Sequence, residues 1–246
     1  MKLQIQILIL TLLLSITSYG QQKKYFINGT SKILHEVEYR QNLSETLDQI
    51  QKVAKSTKVF EELDVIKKSQ DSILYSYQWH FTDNPQKTEK EINRKKKIIG
   101  KPFPLFNVES IDGKVINLES LKGKPTIINL WFTNCTPCIE EMPILNKIKK
   151  QFGYKCNYVA ITFDPKDKVQ KILSKVNFDF TQIVNSKQLT KKMGFNSYPS
   201  NIFLDKNGIV RQIEGGVSYV QNEQGELTIG SGEEFVKIIE KYIREK

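Results

Sequence analysis

The residues of this chain best suited to chemistry are two cysteines separated by two residues, Cys135 and Cys138. They follow an apolar run rich in β-forming residues, 126–132, and precede apolar residues at near-helical spacing. Cys135 is therefore predicted at a helix N-terminus, where unpaired N–H groups and the helix dipole favour a thiolate. Such positions lower a cysteine pKa from about 8.5 to roughly 3.5–7.5. This thiolate could attack a disulfide, and Cys138 could resolve the mixed disulfide.

Three other interpretations of the pair stay open from the residues alone. A zinc site needs about four ligands, and the chain adds only Cys156, His35 and His80. A static disulfide in a binding module would leave the function to residues 21–97, although so short a loop stabilises a fold little. In a thiol peroxidase, the first cysteine would reduce a peroxide and the second would resolve the sulfenic acid.

The segments around the cysteines predict alternating strands and helices over residues 98–246, which indicates an α/β domain. Buried strands are predicted at 126–132, 158–163, 200–204 and 209–213, and helices after Pro137, at 169–176 and at 233–242. Asn207-Gly208 predicts a hairpin between the last two strands.

Residues 21–97 have a different pattern and predict a smaller α+β region. Alternation from Ile73 to Phe81 predicts a half-buried strand, and weaker alternation from Ile33 to Tyr39 suggests a second one. Ser44 is the predicted N-cap of a helix that continues to about Ala54. The charge run at 89–97 predicts a solvated helix or a linker.

The first twenty residues have the layout of a secretory signal. Lys2 precedes an aliphatic run from Leu3 to Leu14, and small residues stand at Ser18 and Gly20. The run is short for a membrane span, so an uncleaved anchor is the less favoured alternative. We expect an exported protein of the periplasm or cell envelope, where disulfides persist.

The formal net charge of +10 is spread over both halves of the chain. Nucleic-acid-binding proteins concentrate such charge on one stripe or arm, so we do not expect a nucleic-acid partner.

Residues 131–143, with the sequence WFTNCTPCIEEMP, resemble the TlpA/ResA-like branch of the thioredoxin family, exported membrane-associated reductases of bacteria. The resemblance covers residues 98 to about 245 and implies a thioredoxin-like fold, a central mixed sheet flanked by helices. It implies that Cys135 is the exposed nucleophile and Cys138 the buried resolving thiol. The implied function is an exported thiol–disulfide oxidoreductase, acting as a reductase of protein disulfides.

The same resemblance bears on cofactors and partners. It implies no cofactor beyond the redox-active pair Cys135–Cys138, protein substrates that carry disulfides or thiols, and a membrane-bound electron donor. No counterpart of residues 21–97 is part of the resemblance.

Further site residues follow from the resemblance. Glu141 matches a family glutamate close to the active site, where a carboxylate could relay the proton of a buried thiol. Tyr198-Pro199 matches a cis-proline that faces the cysteines and leaves the Tyr198 backbone free to pair with an extended substrate. Thr136 and Pro137, between the cysteines, complete the predicted substrate-binding residues.

The chain also departs from the family pattern. Asn134 stands where a tryptophan usually precedes the first cysteine, and Asn129 stands where thioredoxins proper have a buried aspartate. Pro143 occupies the position of a proline that bends the helix. Val217 to Gly230 predicts a hairpin longer than the family minimum. Cys156 precedes a predicted core strand and is expected to be a packed, inert thiol.

Overall fold

The computed structural model describes residues 22–28, 32–105, 107–195, 197–221 and 227–245. The chain divides into two compact units between Lys90 and Glu91, inside a helix that ends next to the boundary predicted at 97/98. The predicted secretory signal, residues 1–20, lies outside the described residues. Across the ranges given above, no helix is long and apolar enough to span a bilayer.

The first unit is a four-stranded sheet with one long helix packed against it. Its strands are β1 (Lys23–Ile27), β2 (Leu34–His35), β3 (Lys58–Lys68) and β4 (Ser72–Thr82), in the order β2-β1-β4-β3, with helix α1 (Glu36–Val53). Strands β1 and β4 are parallel, and the other pairs are antiparallel. Tyr39 of α1 stacks on Phe26 with ring centroids 3.8 Å apart. The aromatic face of β4 covers this pair, so the predicted strand and its core face are confirmed.

Two predictions for this unit are wrong. The strand predicted from Ile33 to Tyr39 is confined to the two residues of β2, because α1 begins at Glu36 and buries Tyr39 and Leu43, four residues apart on one helix face. For the same reason Ser44 lies inside the helix and is not its N-cap. The charge run at 89–97 was predicted as either a helix or a linker. It forms part of a second helix, α2 (Pro85–Ile98), so the first alternative is correct.

The second unit contains a five-stranded mixed sheet in which three neighbouring strands are parallel. Its elements in chain order are β5 (Val108–Glu109), β6 (Val115–Ile116), α3 (Leu118–Leu121), β7 (Thr126–Trp131), α4 (Thr136–Phe152), β8 (Asn157–Thr162), α5 (Lys166–Leu173), β9 (Thr181–Ile183), α6 (Lys187–Met193), β10 (Ser200–Leu204), β11 (Val210–Glu214), β12 (Tyr219–Gln221), β13 (Leu227–Ile229) and α7 (Glu233–Arg244). The strand order of the sheet is β11-β10-β7-β8-β9. Strands β7, β8 and β9 are parallel, and β10 and β11 run antiparallel to their neighbours.

Strand β7 lies at the centre of the sheet and is buried at all six positions. Ile127 and Trp131 pack into the core layer that contains α4 and α7, whereas Ile128 and Leu130 pack into the layer on the opposite face. The sheet is therefore covered on both faces, which confirms the predicted α/β architecture with a mixed sheet flanked by helices.

The predicted strands of this unit are confirmed to within one residue at their ends. Helix α5 begins at Lys166, three residues before its predicted start, because Pro165 serves as its N-cap. Strand β9 and helix α6 were not predicted, since three and seven residues are too few for a clear periodicity.

The turn between β10 and β11 gives a test of how closely the loops are packed. Gly208 has φ +77°, and a Cβ atom there would lie 2.6 Å from Leu118 Cδ1. We expect Gly208→Ala to lower the free energy of unfolding by about 2 kcal/mol through backbone strain and overpacking. Gly123→Ala is the control, because its φ is +89° but nothing lies within 4 Å of its Cβ. The free energy of unfolding of Gly123→Ala, measured in urea, should fall by about 1 kcal/mol. Equal losses would show that the contact with Leu118 costs nothing.

Candidate active site

Cys135 and Cys138 form a disulfide, with Cα atoms 5.2 Å apart. Cys135 is the N-cap of α4, and its Sγ accepts a hydrogen bond from the Cys138 N–H at 3.3 Å. Pro137 lies in the first helical turn, where a missing N–H leaves no helical bond unmade. The predicted strand-to-helix junction is confirmed, and it places a sulfur against the unpaired N–H groups that open a helix.

The disulfide lies mostly within the core. Cys138 is completely buried and Cys135 is 4% exposed. The expectation of an exposed Cys135 is wrong for this disulfide form, because its sulfur is bonded to a core residue and accepts a backbone N–H of the helix. Asn134, Thr136 and Pro137 are exposed around it.

Glu141 lies three residues after Cys138 on α4 and is completely buried. Its carboxylate accepts hydrogen bonds from Val217 N at 2.9 Å, from Asn129 Nδ2 at 2.7 Å and, at 3.4 Å, from Asn201 Nδ2. Burial raises the pKa of this carboxyl to about 7, against the opposing effect of the three donors. A group with such a pKa can both release and accept a proton near neutral pH.

The two asparagines beside this carboxyl are paired across the sheet. Asn129 of β7 and Asn201 of β10 are register partners, and Asn129 Nδ2 donates to Asn201 Oδ1 at 2.9 Å. Asn201 Nδ2 in turn donates to the Gly215 carbonyl oxygen at 2.9 Å. Asn129 was predicted as a departure from the thioredoxin pattern, whereas Asn201 was not among the predicted site residues. A signal was present, because a buried β-run that contains an amide must supply that amide with partners.

The Tyr198–Pro199 peptide bond is cis, as the resemblance implied for this position. A Cβ atom on Gly216 would lie 2.7 Å from Pro199 Cγ and 3.2 Å from Glu141 Oε2. The absence of a side chain at Gly216 therefore allows the backbone there to pack between the proline and the carboxylate. The substrate-binding role of Tyr198 and Pro199 stays a prediction.

Three half-buried rings, those of Phe132, Phe163 and Tyr198, form an aromatic cluster at the edge of the sheet where β7 ends. The ring centroids of each pair are 5.4 to 5.7 Å apart. The neighbouring Asp164 accepts a hydrogen bond from Thr133 N at 2.7 Å and so holds the turn that precedes the cysteines. Neither Phe163 nor Asp164 was among the site residues predicted from the sequence.

The third cysteine lies away from this site. Cys156 immediately precedes β8, at the edge of the sheet opposite to that of Cys135. It is a buried free thiol, and burial raises its pKa to about 11. This agrees with the expected packed and inert thiol. Over the described ranges, no three His, Cys, Asp or Glu side chains come together as metal ligands.

Comparison with known proteins gives matches to the second unit. The family described as AhpC/TSA matches residues 99–213. Thioredoxin-like protein YneN of Bacillus subtilis (strain 168) is 29% identical over 121 residues, which cover 48% of this chain and 71% of YneN. Thiol-disulfide oxidoreductase ResA of Bacillus anthracis is 32% identical over 127 residues, which cover 50% of this chain and 73% of ResA.

A solved structure from Chlorobium tepidum, provisionally described as a thiol:disulfide interchange protein DsbE, matches 59% of this chain and 96% of its own. The TM-score is 0.50 and the identity 20%, so this likeness concerns the fold alone.

Burial of Glu141 predicts a pH-dependent stability of the oxidised protein. Its folded pKa of about 7 exceeds the ordinary 4.5, so between these values the folded state binds the extra proton. The stabilisation is complete below pH 4.5 and is lost as the pH rises through 7, a loss of about 3 kcal/mol by pH 8. The variant Glu141→Gln cannot titrate. We expect urea unfolding between pH 5 and 8 to show about 2.5 kcal/mol of this loss in the wild type and none of it in the variant. An identical pH dependence would assign it to another group.

Proposed function

This chain belongs to the ResA-like thiol–disulfide oxidoreductases of the thioredoxin family, and we propose that it is an exported reductase of protein disulfides. Cys135 is its nucleophile and Cys138 its resolving thiol. The observation that carries the proposal is the Cys135–Cys138 disulfide at the N-terminus of α4. This pair is itself the redox group, so the reaction needs no bound cofactor.

In the reduced protein the Cys135 thiolate attacks one sulfur of a client disulfide, and the other client sulfur leaves as a thiolate and takes up a proton. Cys138 then loses its proton and attacks Cys135 Sγ, which releases the second client thiol. The client gains two electrons and two protons, and the enzyme disulfide forms. The Cys138 N–H that meets Cys135 Sγ at 3.3 Å supports the thiolate at the start of this sequence.

Glu141 is the proposed acceptor for the proton of Cys138. Cys138 is completely buried, so its thiol has no direct contact with bulk water. The buried carboxyl lies three residues further along α4, on the same side of the helix. Its pKa of about 7 matches the task, because a base acts best when its pKa lies near the working pH. Asn129 and Asn201 orient the carboxylate.

The client contacts the edge of the sheet that carries the disulfide. The Tyr198 backbone, beside the cis bond, pairs with an extended client segment, and Thr136 and Pro137 contact it between the cysteines. The aromatic cluster supplies apolar surface next to Cys135, in a chain that has Asn134 immediately before the first cysteine. Thr136 and Pro137 are exposed and the three rings are half-buried, which suits a protein client.

The proposed location is the periplasm or cell envelope, on the basis of the first twenty residues. An oxidising compartment would convert the dithiol to the disulfide. A membrane-bound electron donor therefore has to regenerate the reduced pair after each client.

Replacement of the nucleophile tests the activity. Cys135→Ser should lower the rate of insulin-disulfide reduction with dithiothreitol to that of the uncatalysed reaction, because the serine hydroxyl is not a nucleophile near neutral pH. Cys156→Ala, which removes the buried thiol at the opposite edge, is the matched control and should keep the wild-type rate. Equal rates for Cys135→Ser and the wild type would rule out the proposed chemistry.

Removal of the resolving thiol tests the order of attack. Cys138→Ala should accumulate mixed disulfides with client proteins, visible on non-reducing gels and identifiable by mass spectrometry. Cys135→Ala should accumulate none. Trapping by Cys135→Ala instead would reverse the roles of the two cysteines. Consumption of peroxide as fast as insulin reduction would favour a thiol peroxidase.

A further inference from the structure

A groove lined by lysines lies in the second unit, where the segments after β5, β8 and β9 come together. Its volume is about 1030 Å³. We call it the lysine groove, after Lys166, Lys187, Lys191 and Lys192, which line it together with a single acidic residue, Glu109. The lining therefore carries a formal charge of +3 at neutral pH.

The positive charge of the lysine groove faces solvent. Lys166, Lys187 and Lys191 are all exposed. None of the three forms an ion pair or a side-chain hydrogen bond with any residue that the structure describes. Their charge is therefore available to an anionic partner, and the partner does not have to displace an internal carboxylate.

The wall of the lysine groove is apolar between these charges. Its half-buried aliphatic side chains are those of Val108, Ile111, Val184 and Leu189. A small anion such as phosphate would leave this apolar surface without a contact. A nucleic acid would need aromatic or arginine side chains for stacking, and the lining residues include neither. Apolar surface next to ammonium groups suits a polypeptide segment in which acidic and aliphatic side chains alternate.

The lysine groove lies at the same edge of the sheet as the disulfide. Strands β7, β8 and β9 are parallel, so the segments that follow them meet at one edge. Asp164, after β8, connects the two places directly. Its carboxylate accepts from Thr133 N at 2.7 Å, next to Cys135, and its carbonyl oxygen accepts from Asn185 N at 2.9 Å, in the groove. A client bound at Cys135 can therefore extend one of its segments into the groove.

We infer that the lysine groove binds an acidic segment of the client protein while the client disulfide reacts at Cys135. This inference rests on the proposed function, because it assumes that the bound protein is a client whose disulfide reacts at Cys135. Lysine ammonium groups attract the carboxylates and speed the encounter, and this attraction falls as salt screens it. The groove thereby selects clients whose reactive cysteine lies near acidic residues.

Binding can be measured without any redox chemistry. The probe is a fluorescein-labelled, cysteine-free peptide of nine residues in which Glu alternates with Leu, and its control has Gln in place of Glu. By anisotropy, the oxidised full chain should bind the Glu peptide on the order of tenfold more tightly than the Gln peptide at low salt. This preference should disappear at about 0.5 M salt.

A charge-matched pair of variants locates the binding site. Lys187→Glu with Lys191→Glu should remove the preference for the Glu peptide. Lys101→Glu with Lys124→Glu makes the same change of charge at exposed positions beside the opposite edge of the sheet, and it should retain the preference. An equal loss in both double variants would reduce the effect to net charge and overturn the inference. Tighter binding of an oligonucleotide of equal charge would overturn it as well.

A kinetic arm separates this inference from the proposed function. The reduced chain is given longer versions of the two peptides, in which a cysteine in a mixed disulfide follows the ninth residue. Exchange with both peptides at one common rate would leave the proposed function standing and sink the inference. Binding of the Glu peptide without exchange of either would sink the proposed function and retain the groove as a binding site for acidic peptides.

Discussion

The whole site depends on one constraint, the burial of β7 on both faces of the sheet. Each of its six residues is buried, so neither the strand nor the turn that follows can shift without opening a core layer. The turn delivers Cys135 to the first N–H groups of α4, and the pyrrolidine ring of Pro137 fits the first turn of that helix. The packing of β7 therefore holds the sulfur of Cys135 against the positive N-terminal end of α4.

The second feature is a carboxyl group placed where burial is unfavourable for its charge. Glu141 is enclosed by α4, by the asparagines of β7 and β10, and by the backbone at Val217. Its three hydrogen-bond donors do not cancel the cost of desolvation, so the pKa remains raised. Such a group destabilises the fold at high pH. In the proposed mechanism it accepts the proton of the reduced Cys138, three residues away.

The remaining functional groups lie at one edge of the sheet, the edge formed by the carboxyl ends of the parallel strands. The cis peptide before β10, the aromatic cluster and the lysine groove all lie on segments that leave this edge. The core layers fix the strands, and the connecting segments are free to carry different side chains. Disulfide exchange and the selection of clients can therefore vary separately, because they depend on different segments of the same edge.

The sequence by itself determined most elements of the second unit and the position of its reactive pair. Apolar runs set the strands and the strand-to-helix junction at Cys135 and Cys138, because both signals are local. The choice of disulfide exchange among the open reactions came from the family resemblance. What only the tertiary structure decided is the surroundings of that pair. Asn201 meets Glu141 from sixty residues away, and Lys166 meets Lys191 across one groove. The extent of α1 was likewise misread, because the burial of Tyr39 against Phe26 outweighs a weak local alternation. Burial, and with it the pKa of Glu141, is a property of packing between distant segments, which no local pattern contains.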